Sequence, residues 1–500
     1  MPMKELIVIM FIASAMLMIA KPAFRNIVSA NDFNRRAKLW FVITAILFLS
    51  NDFWIFMVGS ALAIHVAKIR ERNYVALYFM LLFVAPMHAS SDIYGFGVMN
   101  YVFTLNSVRL LELLILFPAA LMLSKGSDTV AFGRVLPDKF LLMYMLLIVL
   151  MQLRGTTITD SMRFGFYTYI DIFLPYYVFS RSLKNMDQFK DAMAAMVVAA
   201  LISAGVAMFE FLKHWPLYTG AVQALGVHSD FGTFLLRGGD LRAQSSASQP
   251  IILGYVLMIA IGFYHCLYKI NHKKLIGHLL LAILVGGLFA SISRGPWVGA
   301  LAFLIIYNLL SFNALNNTVK VAVVGGVVLL FVLLMPGGEK LINLLPFIGS
   351  DMDGTTLYRQ RLFEMAMVVI QQNLWFGSVV FLDAPEMQSM MQGQGIIDLV
   401  NSYLEITLKY GLVGLGLFVG FFGSVIYGLY KSFQRIKYRG NHKQAYVLGV
   451  TLFALLMAIL VTIATVSSIL LIPALYWAVA GMAVGYIEMN QNRMLEENKA

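Results

Sequence analysis

Apolar runs of the length needed to cross a bilayer recur from one end of this sequence to the other, and that repetition limits the possible folds more than any other feature. Spanning the hydrocarbon core takes about 20 apolar residues. Runs of this kind fall at 5–20, 38–50, 53–67, 73–88, 105–123, 138–153, 164–180, 191–212, 249–267, 276–293, 295–311, 319–335, 402–430, 446–464 and 467–487. The two short runs meeting at Ser50-Asn51-Asp52 read as a hairpin, a broken helix or one tilted element, so about 12–15 helices are expected. Charge is too scarce for the other classes. Of 500 residues 60% are hydrophobic and 13% charged, and the mean hydropathy is +0.78. A soluble chain carries about 25% charged residues. A soluble enzyme, a disordered chain and a nucleic-acid-binding module are therefore excluded, and the expected fold class is an all-α, polytopic integral membrane protein.

Lysine and arginine orient the chain. The net charge of +11 is concentrated in short loops. Lys21, Arg25, Arg35, Arg36 and Lys38 form one group, and Lys68, Arg70 and Arg72 the next. Lys125, Arg134 and Lys139 follow, then Arg181, Lys184 and Lys190, then Lys269, Lys273 and Lys274, and last Lys431, Arg435, Lys437, Arg439 and Lys443. Alternating the spans puts all of these groups on one side, which the positive-inside bias makes cytoplasmic. The run beginning at Leu6 is followed by Lys21 and Pro22 and not by a small-residue cleavage site, so it reads as a retained helix. The single cysteine, Cys266, excludes an internal disulfide.

Two stretches on the other side, 213–248 and 336–400, are too long for turns, since helix connections usually take about 2–8 residues. They divide the chain into membrane helices at 1–212, a first external loop at 213–248, helices at 249–335, a second external loop at 336–400 and helices at 401–500. The second loop is amphipathic, with an apolar stretch from Leu341 to Phe347 and a one-sided helix from Arg361 to Val369. External arginines break the positive-inside bias: Arg237, Arg242, Arg294, Arg359 and Arg361. An arginine fork binds phosphate oxygens bidentately and stays charged, so a cluster here suits a lipid pyrophosphate. The plainer reading pairs these arginines with Asp230, Asp240, Asp351 or Asp353. Arg294 has the sharpest setting, because Gly295 and Pro296 break the helix beside it, and a charge held at such a break marks a site. Asp171, in the middle of an apolar run, must face the bundle interior, paired with Arg163 or Arg109.

The turn Ser293-Arg294-Gly295 and the apolar helix after it resemble the signature of the O-antigen ligase and Wzy-type polysaccharide polymerase superfamily. Leu241-Arg242-Ala243 with Gln249-Pro250 resembles the family's stretch at the end of the first external loop. Arg361-Leu362 through Asn373-Leu374-Trp375-Phe376-Gly377 is similar to its second-loop segment. Asn401-Ser402-Tyr403-Leu404, with Tyr410-Gly411-Leu412-Val413-Gly414-Leu415, resembles the block entering the next helix. The matches run in order from about 240 to 420; the N-terminal part is similar only as a helix-rich half.

The resemblance implies a GT-C-like, metal-independent glycosyltransferase without a cofactor, set in a bacterial inner membrane with its site facing the periplasm. Its donor would be an undecaprenyl-pyrophosphate-linked glycan and its acceptor a glycan. Flippase and chain-length regulator proteins are candidate partners alongside membrane lipid, and nucleic acid is not one. Arg242, Arg294, Arg361, Asn401 and Tyr403 are the implied substrate-binding residues. Where many relatives carry a histidine base this chain has Val400, which cannot accept a proton. The candidates to replace it are Asp398, Glu405 and Glu364, although Glu405 with Lys409 also fits a plain i,i+4 ion pair. His214 and His228 in the first loop are weaker candidates. The eight histidines are scattered, without metal-ligand spacing. The missing histidine favours a polymerase of lipid-linked repeat units. A ligase that moves the glycan to lipid A core, a lipid-linked oligosaccharide flippase and an inactive scaffold are the alternatives.

Overall fold

The structure, a computed structural model, describes residues 2–95, 100–127, 129–227, 234–237, 239–271, 274–311, 352–392, 395–439 and 442–497. Among them, eight helices are long and apolar enough to cross a membrane, and three shorter apolar helices, Phe53–Lys68, Ile276–Ala290 and Arg294–Leu310, accompany them. The fold is all-α apart from two small hairpins. The expected span 319–335 and the start of the second loop, up to 351, lie outside the described residues. Met186–Lys213 forms the centre of the bundle: 89% of its apolar window is buried, and it packs against Met3–Phe24, Tyr74–Leu81, Pro250–Asn271 and Lys274–Ala290. Arg294–Leu310 packs on Lys443–Ile463, and Ser402–Arg439 on Leu136–Gly155.

Local chemistry explains where helices stop. The short runs around residue 50 form a hairpin of two helices, Ala30–Leu49 and Phe53–Lys68. Asp52 caps the second by accepting from the backbone N–H groups of Trp54 (2.8 Å) and Ile55 (3.0 Å). The expected helix 73–88 is helical only over Tyr74–Leu81, and Pro86, which disfavours helical backbone at Ala85, keeps it from resuming there. The irregular stretch that follows is buried. Ser246 donates to the Phe83 carbonyl at 2.6 Å and the His88 N–H donates to Ser248 Oγ at 3.4 Å, supplying partners that lipid would not. Beyond it, Ser90–Tyr94 pairs antiparallel with Tyr101–Asn106. Arg163 holds this hairpin by donating to the Tyr101 carbonyl at 2.8 Å and stacking 3.6 Å from its ring centroid.

The basic loops gather at one end of the bundle. Arg36 forks onto both Glu71 and Asp191, with contacts of 2.6–3.1 Å, and Arg35 adds a second contact to Glu71. Arg181 pairs with Asp138, both side chains fully buried. Four loops that are distant in sequence therefore meet through ion pairs, as the alternation of spans requires.

Asp171 pairs bidentately with Arg109 (Nε–Oδ1 3.1 Å, Nη2–Oδ2 2.8 Å) and not with Arg163, which takes Asp160 instead. A second acidic group was not singled out from the sequence. Glu112 is completely buried and accepts from the Tyr78 hydroxyl at 3.2 Å. Glu112 and Asp171 each lie in a π-helical turn, Glu112–Leu116 and Tyr169–Phe173, and turns of this kind widen a helix locally.

Candidate functional site

At the end of the bundle opposite the basic loops, three stretches come together: 236–248, the turn after Ala290, and 398–403 with the link between the last two helices. The Ala243 N–H donates to the Ala290 carbonyl at 3.0 Å and so ties the first loop to the turn. Arg242 Nη2 donates to Ser293 Oγ at 3.2 Å, and Arg237 Nη1 to the Ile292 carbonyl at 3.1 Å. Arg242 Nε is buried and has no hydrogen-bond partner among the described residues. Burial, and after it the nearby Arg237 charge, pulls the Arg242 guanidinium down to about 10, which still leaves it protonated at neutral pH. The chain holds a cation in a place that disfavours it, as a site awaiting an anion would.

Arg294 opens the helix Arg294–Leu310, and Pro296 stands in the first turn, where its missing N–H is harmless. Gly295 is there for space: a Cβ would stand 2.8 Å from Thr465 Oγ1 and 3.0 Å from a Val466 methyl. This close approach brings the turn against the 464–470 link. Arg359, on the helix Met352–Gln372, donates to the Thr465 carbonyl at 3.4 Å. Although Arg359 is exposed, partial desolvation holds its guanidinium below the usual arginine range, with Asp398 opposing that effect and Arg294 adding to it. Arg242, Arg294 and Arg359 thus gather around Ser293 and Thr465.

Asp398 faces the same place. Its Oδ1 accepts from Ser467 Oγ at 2.6 Å and from the Val400 N–H at 3.3 Å, and the Tyr358 hydroxyl donates to its backbone carbonyl at 3.1 Å. Val400 itself has φ 46°, a left-handed conformation unusual for a β-branched residue. All six non-glycine residues with positive φ among those described, His214, Ser245, Ser248, Ile292, Val400 and Leu470, lie at this end of the bundle. Each costs about 1–3 kcal/mol, and strain of this kind collects at functional sites.

The other residues singled out from the sequence are placed differently. Arg361 is exposed, as Arg359 is, but it leaves the helix about 200° away from Arg359. Glu364 is also exposed and accepts from Gln360 Nε2 at 3.1 Å, with no ion pair to Arg361 among the described residues. Glu405 pairs with Lys409 at 2.6 Å. Asn401 Oδ1 accepts from the N–H groups of Tyr403 (2.9 Å) and Leu404 (3.2 Å), so it caps the helix Ser402–Arg439. The Tyr403 hydroxyl donates to the Leu460 carbonyl at 3.0 Å. His214 ends the helix Met186–Lys213, while His228, Asp230, Asp351 and the side chain of Asp353 lie outside the described residues. Two participants carried no motif. Arg359 is told from Arg361 only by helix phase, and Ser467 only by the polar Thr465-Val466-Ser467-Ser468 break between two apolar runs.

The glycine motifs form a joint. Gly377 (φ 64°) and Gly411 (φ 65°) are both left-handed, and a Cβ on Gly411 would overlap the Trp375 carbonyl group. The N–H groups of Leu412 and Val413 donate to the carbonyls of Leu374 (2.9 Å) and Trp375 (3.1 Å), and that of Ser378 to Leu408 at 2.8 Å. The second loop therefore caps a helix start, and the break at Gly411 separates a short helical segment from the membrane span that follows. The joint fixes where Asp398 and Arg359 stand.

Residues 279–419 match the family model described as O-antigen ligase. This segment is similar to the O-antigen ligase family. The resemblance drawn from the motifs is thus shown, and the matched segment holds Arg294, Arg359, Asp398, Val400 and the Gly377–Gly411 joint. Arg242 and Ser467 lie outside it and reach the site through the fold. A search of curated proteins gave no match. Among the described residues, no group of three His, Cys, Asp or Glu side chains is placed to hold a metal ion.

Proposed function

We propose that this O-antigen ligase family protein joins undecaprenyl-pyrophosphate-linked oligosaccharide repeat units into an envelope polysaccharide at the periplasmic face of a bacterial inner membrane. The observation that carries this reading is the gathering of Arg242, Arg294 and Arg359 beside Asp398 at the end opposite the basic loops. In the proposed reaction the acceptor hydroxyl attacks the anomeric carbon of the donor. The bond from that carbon to the pyrophosphate oxygen breaks, and the lipid pyrophosphate leaves with the electron pair. The arginines stabilise the charge developing on the leaving group, usually the largest catalytic contribution in such chemistry. Asp398 takes the proton of the acceptor hydroxyl. Ser467 and the Val400 N–H fix its Oδ1, which leaves Oδ2 to face the acceptor, so the carboxylate needs no histidine at position 400.

A ligase acting on lipid A core is the second reading, favoured by the description of the matching family; the valine at position 400 argues for the polymerase. A flippase would need charged groups along an open path, whereas Glu112 is sealed and Asp171 is taken by Arg109. The glycan profile of a deletion strain separates the readings. Single repeats left on the lipid support the polymerase, and long unattached chains would indicate a ligase. Lipid-linked units stranded inside the cell would indicate a flippase, and an unchanged profile an inactive scaffold.

A further inference from the structure

Two sets of cations at the basic end stand in contrast. Arg35, Arg36, Arg181 and Lys190 are held by Asp32, Glu71, Asp191, Asp138 and Asp187. Lys21, Arg25, Lys431 and Arg435 meet no carboxylate among the described residues, and each pair lines a cavity. A cavity of about 130 Å³ is walled by Gly428, Lys431, Ser432, Arg435, Ile487 and Gln491. Another, of about 260 Å³, lies between the first two helices, with Lys21 and Arg25 at its edge and Phe24, Val28 and Phe33 in its wall. The two are built alike. Each sets a lysine and an arginine four residues apart, within Ser402–Arg439 in one case and at the C-terminal end of Met3–Phe24, with Arg25 as its cap, in the other, so both charges share a face. The remaining wall is apolar in the larger cavity and mixed in the smaller, where Ile487 and Gly428 stand beside Ser432 and Gln491, and neither cavity is lined by an acidic residue.

We propose that both cavities bind the phosphodiester headgroup of an anionic phospholipid in the cytoplasmic leaflet. Charge complementarity selects this occupant. Two cations that meet no carboxylate among the described residues, beside a hollow walled in part by apolar side chains, match a lipid with an anionic head and acyl chains. Basic pockets between helices on the cytoplasmic side are a recurrent way of holding such lipids. A cation that merely snorkels to the interface needs no hollow. Lys437, exposed on the same helix as Lys431 but outside the cavity wall, provides that comparison. The proposal uses the orientation proposed above, which cysteine labelling tests separately, and it does not depend on the reaction catalysed.

The test is native mass spectrometry of the full chain in neutral detergent, titrated with phosphatidylglycerol or phosphatidylcholine. Two phosphatidylglycerol molecules should be retained in preference to phosphatidylcholine. One surface cation contributes about fivefold in affinity. Lys431→Gln with Arg435→Gln should therefore weaken one of the two by about thirtyfold, and Lys21→Gln with Arg25→Gln the other. Lys437→Gln should change neither. If a double variant is poorly folded, Lys431→Gln alone should still show the fivefold loss. Equal retention of the two lipids, undiminished phosphatidylglycerol on the double variants, or an equal loss on Lys437→Gln would overturn the proposal. So would displacement of both lipids by excess inorganic phosphate, which would mark a site for the free anion.

Discussion

Arg359 and Arg361 carry the same charge and are two residues apart, yet they should differ greatly when replaced. Two residues turn a helix by about 200°, so the two side chains leave opposite faces of Met352–Gln372. Arg359 points to the Thr465 carbonyl, close enough to Arg294 and Asp398 for their charges to act on it. Arg361 is exposed and bonded to nothing among the described residues. Among the described residues the one hydrogen bond of Arg359 is a long one to a carbonyl, so Arg359 contributes little to stability. Its removal should therefore register in the reaction. Arg359 and Asp398 are both exposed, so losing one charge-assisted contact to a leaving pyrophosphate costs about 1.5–3 kcal/mol, or roughly 10- to 100-fold in rate. Removing an exposed, unbonded arginine stays within about 0.5 kcal/mol, or roughly twofold. The assay is the initial rate of glycan elongation in membranes containing equal amounts of Arg359→Ala, Arg361→Ala and unaltered protein. A collapse for Arg361→Ala with Arg359→Ala near normal would refute the placement of this helix against the site.

The joint and the orientation give two further predictions. Gly411→Ala combines a left-handed backbone with a Cβ driven into the Trp375 carbonyl. It should cost on the order of 3 kcal/mol and lower the melting temperature of the purified protein, whereas an unchanged melting temperature would contradict the joint. A cysteine in place of exposed Ser389 should react with an impermeant thiol reagent in spheroplasts while one in place of exposed Lys437 should not. Cys266 is buried and adds no background, and the reverse pattern would invert the topology.

Much of the fold was legible because the bilayer imposes one rule on every span. Apolar length located the helices, and the basic loops that alternation put on one side do meet, through Arg36 with Glu71 and Asp191 and through Arg181 with Asp138. Hydropathy does not register backbone chemistry, which is why the helix entered at Tyr74 stops early, before Pro86, and why the long helix at Ser402 breaks at Gly411. The site was legible only where a motif named a backbone constraint. Ser293-Arg294-Gly295 marks a turn that needs close approach, and the structure shows the approach at Thr465. Side-chain direction was not legible. Glu405 and Asp398 are equally acidic neighbours of the same block, and only the contacts send one to Lys409 and the other to Ser467. Asn401 and Tyr403 match a family pattern, yet the Asn401 Oδ1 caps a helix and the Tyr403 hydroxyl ties it to Leu460. Glu112 was passed over because one carboxylate in an apolar run hardly changes its mean hydropathy.

The most direct measurement supplies the purified full-length protein, in a bilayer, with a lipid-pyrophosphate-linked repeat unit and no other acceptor. The account predicts products lengthened by whole repeats, one lipid pyrophosphate released for each bond formed, and loss of both on Arg294→Lys, since a lysine lacks the planar fork that grips a pyrophosphate. Transfer that began only when a separate lipid acceptor was added, or bond formation undiminished by Arg294→Lys, would contradict it.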